Sequence, residues 1–144
     1  MIKKGASITV EAMIHAPIER VWEFWTAPEH IINWNFGLDE WHCPFAENDL
    51  RPGGALNWRM EARDGSMGFD FAGTYDGIGE HKTIQYTLGD GRKTLIVFSS
   101  TGDSTTIIET FEAEHLNSLA LQQTGWQAIL NNFKKYVENE SLKK

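Results

Sequence analysis

The sequence predicts an α+β domain in which a curved antiparallel sheet of about six or seven strands wraps around one long C-terminal helix, with two short helices after the first strand. Three observations carry this. Apolar and polar residues alternate along most of residues 55–112. The spacing then changes to that of a helix from Ser118 to Glu140. Pro17 and Pro28 divide the region before Trp34 into two short helical pieces. With 144 residues the chain fits one domain, 1–144, large enough to bury a core.

Each element follows from its local pattern. From Ser7 to His15, Ile8, Val10, Ala12 and Ile14 share one face of a strand, and Ser7, Thr9, Glu11 and Met13 the other. Pro17 opens a helix at its first position, where a missing N–H costs nothing, and Ile18, Val21, Trp22 and Trp25 follow at helical spacing. Pro28 ends that helix and opens the second, for which Thr26 and Glu29 have capping-box spacing. Leu38 to Cys43 predicts a short strand, and polar Ala46 to Gly54, with Arg-Pro-Gly-Gly, a loop and turn. Leu56, Trp58, Met60 and Ala62 then share a face. Asp64-Gly65 makes a hairpin turn into a second alternating run, Met67, Phe69, Phe71, Gly73 and Tyr75. Ile84, Tyr86 and Leu88 continue the pattern, and Gly-Asp-Gly and Thr-Gly-Asp-Ser turn the chain into strands 93–100 and 105–112. Short turns make antiparallel neighbours, so the strands form a meander that the first strand should join.

The last element is an amphipathic helix of about 22 residues, roughly 33 Å long. Its apolar residues are Leu119, Trp126, Leu130, Phe133 and Val137, with Leu116, Ile129 and Tyr136 beside them. Lys134, Lys135, Lys143 and Lys144 suit the negative end of its dipole. Gly125, mid-helix, is either a tolerated cost or a point of close approach to the sheet or a ligand.

Composition limits the function classes. The net charge of −7 disfavours a phosphate-backbone partner, so no nucleic acid is expected. No apolar run approaches the roughly 20 residues of a membrane span. The start, Met-Ile-Lys-Lys-Gly-Ala-Ser, lacks the apolar core of a signal peptide, and a single cysteine, Cys43, leaves no internal disulfide; a cytoplasmic protein is expected. His15, His30, His42, His81 and His115 show no metal-ligand spacing, so neither metal nor cofactor is expected. His42-Cys43 is adjacent only in sequence, which does not make a catalytic pair. Gly-Asp-Gly and Arg-Pro-Gly-Gly are turns, not phosphate loops.

Six tryptophans are more than a core of this size requires, and tryptophan favours cavity walls and interfaces. One helix does not close perfectly on a curved sheet, and the gap is either filled by side chains or left as a pocket. The inward candidates from the sheet are Trp58, Met60, Phe69, Phe71, Tyr86 and Phe98. The long helix adds Trp126 and Ile129. Trp34 and Trp41 flank a loop with Asn33, Asn35, Phe36 and Gly37 that reads either as the mouth of the pocket or as an exposed interaction surface. Asp70, Gln85, Glu109 and Gln122 are the candidate inward polar groups, and a carboxyl among them would have its pKa raised.

Four stretches together resemble one known family: Ile14 to Thr26, Asp49 to Met60, Phe69 to Tyr75 with Lys82 to Thr87, and Gly125 to Phe133. The chain is similar to the START-like (SRPBCC, birch-pollen-allergen-like) superfamily with its helix-grip fold. Within it, the chain resembles the family of activator of 90-kDa heat-shock protein ATPase homologue-like proteins, in their single-domain bacterial form. The resemblance implies a hydrophobic cavity between sheet and helix, of the kind in which relatives bind lipids, sterols or polyketides and some catalyse cyclisation. It transfers fold-shaping and cavity positions (Gly53, Gly54, Trp58, Gly73, Tyr86, Trp126) and no catalytic residue. Three functions follow as expectations. The first is binding of a small hydrophobic, lipid- or polyketide-like molecule. The second is a cyclase, aromatase or hydrolase reaction in the same pocket. The third is a cochaperone-like or stress-response role through the surface, with a chaperone partner. A homodimer is also expected, from exposed aromatics near Trp34 to Trp41 and from free sheet edges.

Overall fold

The computed structural model describes residues 6–142. The first five residues and the tail lysines Lys143 and Lys144, invoked above for the start of the chain and the helix dipole, lie outside the described residues. The elements are β1 (Ser7–Ile14), α1 (Ile18–Thr26), α2 (Pro28–Trp34), β2 (Trp41–Asn48), β3 (Ala55–Ala62), β4 (Gly68–Gly79), β5 (Thr83–Leu88), β6 (Lys93–Thr101), β7 (Ser104–Glu112) and α3 (Leu119–Leu142). Seven strands form one antiparallel sheet in the order β1-β7-β6-β5-β4-β3-β2. The sheet curls as a half-barrel around α3, and the fold is the helix-grip α+β architecture.

Inward rows follow the alternation read from the sequence. Leu56, Trp58, Met60 and Ala62 of β3 are buried, as are Ile84, Tyr86 and Leu88 of β5. The same face continues through Thr94, Ile96 and Phe98 of β6 and Thr105, Ile107, Glu109 and Phe111 of β7. In β4 the register shifts between Tyr75 and Gly77; before it, Phe69 pairs with Met60 on the inward face yet is half exposed, and Met67 lies outside the strand.

Several local expectations change. β2 begins at Trp41 rather than Leu38 and runs on through Ala46 to Asn48, which the sequence marks as loop. It is an edge strand, and the register shift between His42 and Phe45 accommodates Pro44, which has no N–H to give a ladder. The capping box does not form: Ala27 is the N-cap of α2, and Thr26 Oγ1 donates back to Trp22 O at 2.8 Å. Pro17 is the N-cap residue of α1 rather than its first helical residue. Leu116 and Leu119 are exposed, so the buried stripe of α3 is carried by Leu130, Phe133 and Val137 in its C-terminal half.

Buried polar groups at the α1–α2 end are paired. Trp34 Nε1 donates to Phe24 O at 2.8 Å, and Asn132 Nδ2 donates to Trp34 O at 2.9 Å. Asn48 Oδ1 accepts from Trp58 Nε1 and Tyr75 Oη, while its Nδ2 donates to Thr26 O, which ties β2, β3 and β4 to the end of α1. Burial drives the Tyr75 hydroxyl pKa up and keeps it a donor. A Cβ on Gly73 would run into the Thr87 carbonyl, so this position lets β4 and β5 meet closely.

The outer edge of β1 is not free. Gln123 Nε2 donates to Thr9 O, Gln127 Nε2 to Glu11 O and Lys134 Nζ to Met13 O, and the His15 N–H donates to Glu138 Oε2. Two strand residues advance about 6.6 Å and one i,i+4 helical step about 6.0 Å, so the repeats nearly match from Gln123 to Gln127 and from Lys134 to Glu138, while the seven-residue step between Gln127 and Lys134, about 10.5 Å, is spanned by the long lysine side chain. α3 runs alongside β1 and covers the edge that the sequence leaves open to a second chain. Lys134 serves this contact and its 2.7 Å ion pair with Glu138, rather than the end of the helix dipole.

Candidate functional site

A cavity of about 350 Å³ lies between the concave face of the sheet and the N-terminal half of α3. Its position follows from how α3 is buried. Leu130, Phe133 and Val137 fill the space at one end, together with Trp22, Trp25 and Trp34 from the short helices. Toward its N-terminus α3 presents Leu121, Gln122, Gly125, Trp126 and Ile129 to the sheet, and these do not fill the gap. A Cβ built on Gly125 meets nothing within 4 Å, so Gly125 opens on space and is not a point of close approach to the sheet.

Eight of the ten sequence-derived lining residues are in the wall: Trp34, Trp58, Met60, Phe69, Phe71, Tyr86, Trp126 and Ile129. Two are elsewhere. Phe98 is buried in the core, edge-on to Trp22 and Trp25 at ring separations of 5.2 and 5.9 Å. Trp41 lies outside the cavity, half buried against Phe69 at 6.1 Å. The aromatic wall is held by its own contacts. Phe111 and Trp126 stack at 3.8 Å, Trp58 and Phe71 stack at 5.4 Å, and Tyr86 meets both Trp58 and Phe71 edge-on.

The loop flanked by Trp34 and Trp41 is not the mouth. Trp34 and Asn35 are buried in the wall, and the exposed lining residues are Phe69, Asn117, Leu121 and Gly125. The opening therefore lies between β4 and the start of α3. Arg92 and Glu114 also reach the lining and make its rim polar. Arg92 Nε is held by Asp90 at 2.7 Å. Desolvation is the largest single influence on Glu114 and pushes its pKa up, but the bonds it accepts from the Leu116 and Asn117 N–H groups and from Asn117 Nδ2, together with the charge of Arg92, outweigh it and hold the pKa below the usual carboxylate value.

Of the four inward polar candidates, Asp70 and Gln85 are exposed, while Glu109 and Gln122 are buried and line the cavity. Gln122 is fully engaged: its Oε1 accepts from Glu114 N, and its Nε2 donates to Glu114 O and Asn117 O. Glu109 is 5% exposed, and burial alone pushes its pKa up to about 8, with no hydrogen bond or cation offsetting it. Tyr86 shares the wall; burial chiefly, and the charge of Glu109 next, drive its pKa well up. The interior thus holds a neutral carboxylic acid and a neutral phenol at pH 7. Sequence reading names Asn35 only within the loop between Trp34 and Trp41, and does not single out Trp25, Leu121, or the rim residues Arg92, Glu114 and Asn117. Arg92 and Glu114 follow turn and strand-end positions, which carry no periodic signal.

Cys43 and His42 occupy successive strand positions and so point to opposite faces. The Cys43 thiol is buried and its pKa is raised by desolvation, whereas His42 Nε2 lies 3.8 Å from Glu61 Oε1. No group of three or more metal-ligating side chains, and no helix long and apolar enough to cross a membrane, is present among the described residues.

Comparison with known proteins agrees with this architecture. The profile of the family described as "Activator of Hsp90 ATPase homolog 1-like protein" matches residues 15–138. The structure is similar to the solution structure of the AHSA1-like protein from Aeromonas hydrophila, with a TM-score of 0.89 and 41% identity over 95% of both chains. It is also similar to the solution structure of a protein from Cytophaga hutchinsonii, with a TM-score of 0.80 and 53% identity over 93% of both chains. A protein from Chromobacterium violaceum, at 23% identity and a TM-score of 0.83 over 92% of this chain and 98% of its own, shares the fold. No curated protein sequence matches. A profile match spanning most of the chain, joined to 41% identity over nearly its whole length, shows that the chain belongs to the AHSA1-like family of START-like proteins.

Proposed function

We propose that this protein binds a small hydrophobic molecule, lipid- or polyketide-like in character, in the cavity between the sheet and α3. The observation that carries the reading is a space of about 350 Å³ between sheet and helix, walled by Trp58, Phe71, Tyr86 and Trp126. That volume is at the lower end of the range for small-molecule sites, and apolar walls with few polar groups are their usual composition. Burial of an apolar ligand there contributes about 25 cal/mol per Å² of surface removed from water.

Native mass spectrometry of protein purified gently from its own cells tests the reading. A reproducible added mass of roughly a few hundred daltons, lost in a folded Trp126→Ala variant, is the expected result. Retention of that mass by Trp126→Ala overturns binding at this wall.

Glu109 favours a second reading, catalysis in the same cavity, because a reaction there needs a buried acid or base. If the bound molecule is a substrate, incubation with the wild type changes its mass or structure and incubation with Glu109→Gln does not. Recovery of the molecule unchanged from both rejects catalysis and leaves binding standing.

A further inference from the structure

The wall of the cavity holds a buried carboxyl, Glu109, on which no hydrogen bond from the protein acts. Glu109 pairs across the sheet with Val10 of β1 and Ile96 of β6, both fully buried and apolar. Gln122, the polar neighbour on α3, has both ends of its amide bonded to the β7–α3 connection. Arg92 is tied to Asp90 in its own turn, and Glu114 to the backbone and side chain of Asn117. Resting on the ligand-binding reading above, we propose that the carboxyl of Glu109, buried in the cavity wall between apolar cross-strand partners, donates a hydrogen bond to the ligand, so that the cavity selects uncharged molecules bearing a carbonyl-type acceptor over hydrocarbons and amines.

The chemistry follows from what surrounds the carboxyl. The titratable and charged groups that line this cavity with it are Tyr86 from β5, Arg92 from the β5–β6 turn and Glu114 from the β7–α3 connection; its cross-strand partners on β1 and β6 are the apolar Val10 and Ile96, and α3 adds no titratable side chain to the lining. None of these holds a cation against Glu109, and burial keeps the proton on it through neutral pH. A protonated carboxyl has one O–H to give, and leaving a buried donor unpaired is costly. An uncharged acceptor meets that donor without bringing a charge into the apolar space. An ammonium ligand would have to be stripped of water together with the carboxylate it creates, and the attraction gained seldom exceeds that loss. A carboxylate ligand would meet, among the described lining residues, the single cation Arg92, which is bonded to Asp90 through Nε and lies beside the acidic Glu114. Tyr86, a second neutral hydroxyl in the same wall, favours the same kind of atom.

Three probes of matched shape test the assignment: 2-acetylnaphthalene, 2-ethylnaphthalene and 2-(aminomethyl)naphthalene, titrated calorimetrically near pH 6.5 and near pH 9.5, on either side of the Glu109 titration. The wild type is expected to bind the ketone about tenfold tighter than the hydrocarbon at the lower pH and to lose most of that preference at the higher. Glu109→Gln, which keeps an N–H donor but cannot ionise, retains the preference at both pH values. Glu109→Leu binds the hydrocarbon at least as well as the wild type and shows no preference. A ketone preference that survives in Glu109→Leu, or tightest binding of the amine, overturns the role of Glu109 while leaving the cavity a ligand site. Failure of all three probes to bind overturns the ligand-binding reading and this one with it.

Discussion

Glu109 of β7 stands directly opposite Val10 of β1, so a carboxyl and a side chain of 2% exposure leave the sheet on the same face. The arrangement makes folding stability depend on pH in an unusual direction. The folded carboxyl titrates at about 8, the free one at 4.5. Below the lower value both states are protonated and the contribution is complete. As pH rises through the interval the unfolded chain releases its proton first, and stability falls until the folded group ionises as well. The loss across the window is roughly 4–5 kcal/mol. Glu109→Gln should flatten this slope, so that urea midpoints of variant and wild type agree near pH 4 and separate increasingly toward pH 9. Parallel curves over that range would contradict the buried, unpaired state of the group.

Trp126 and Trp41 form a matched contrast. Trp126 is in the cavity wall and stacks on Phe111, while Trp41 lies outside. Trp126→Ala should cost about 2–4 kcal/mol, through lost burial and a lost aromatic pair, and should release any bound molecule. Trp41→Ala should leave bound mass unchanged. Denaturant titration and native mass spectrometry of both variants check the pair, and equal ligand loss in the two would remove the distinction.

Gly125→Ala should stabilise the protein by about 0.5–1 kcal/mol, since the helix gains propensity and the new methyl meets no atom. The opposite holds at Gly73→Ala, where the Cβ collides with the Thr87 carbonyl and the Leu88 backbone; a loss of more than about 2 kcal/mol is expected. Thermal unfolding of the two variants decides. A destabilised Gly125→Ala would mean that α3 packs more closely there than the geometry shows.

Glu138 accepts from the His15 N–H at 2.9 Å and from Lys134 Nζ at 2.7 Å. Those hydrogen bonds, with the positive charges of Lys134 and His15, outweigh desolvation and hold its pKa below the usual glutamate value. Its contribution is therefore present above the ordinary carboxylate range and is lost as pH falls through the depressed folded value. Glu138→Ala should accelerate hydrogen exchange at the His15 amide by about tenfold. Unchanged protection at His15 would show that the bond carries no stability.

What could be read from the sequence divides along a physical line. Alternation reports which side chains share a face, so the inward row of β3 is legible in the residues, but it does not say which face of 105–112 turns inward; the structure buries Thr105, Ile107, Glu109 and Phe111. Nor does alternation report where along a curved face a side chain falls. Phe98 and Tyr86 share a face, yet Phe98 is covered by Trp22 and Trp25 from α1 and becomes core, while Tyr86 lies under the open half of α3. That division depends on long-range placement of the helices. Trp41 flanks a loop that reads as a pocket mouth, but the opening lies between β4 and the start of α3, and Trp41 packs against Phe69 outside the cavity, a placement that depends on where α3 begins over the sheet. Glu109 could have been singled out, because it is the one ionisable residue in an inward row otherwise made of Thr105, Ile107 and Phe111.

The side-chain bonds between α3 and the edge of β1 also constrain how the molecule can move. Gln123, Gln127, Lys134 and Glu138 fasten the helix to successive points on one strand. A row of attachments along one side resists sliding of the helix on its own axis, because every bond would shorten or stretch together. Rotation about the row strains them least. The row therefore acts as a hinge line. It is stiff at the C-terminal end, where Leu130, Phe133 and Val137 are locked in the core, and more compliant at the N-terminal end, where the bonds from Gln123 and Gln127 are longer than those of Lys134 and Glu138. The compliant end is the one that stands over the cavity, so widening of its opening is a swing of the first turns of α3 away from β4, with the attachment to β1 as the pivot.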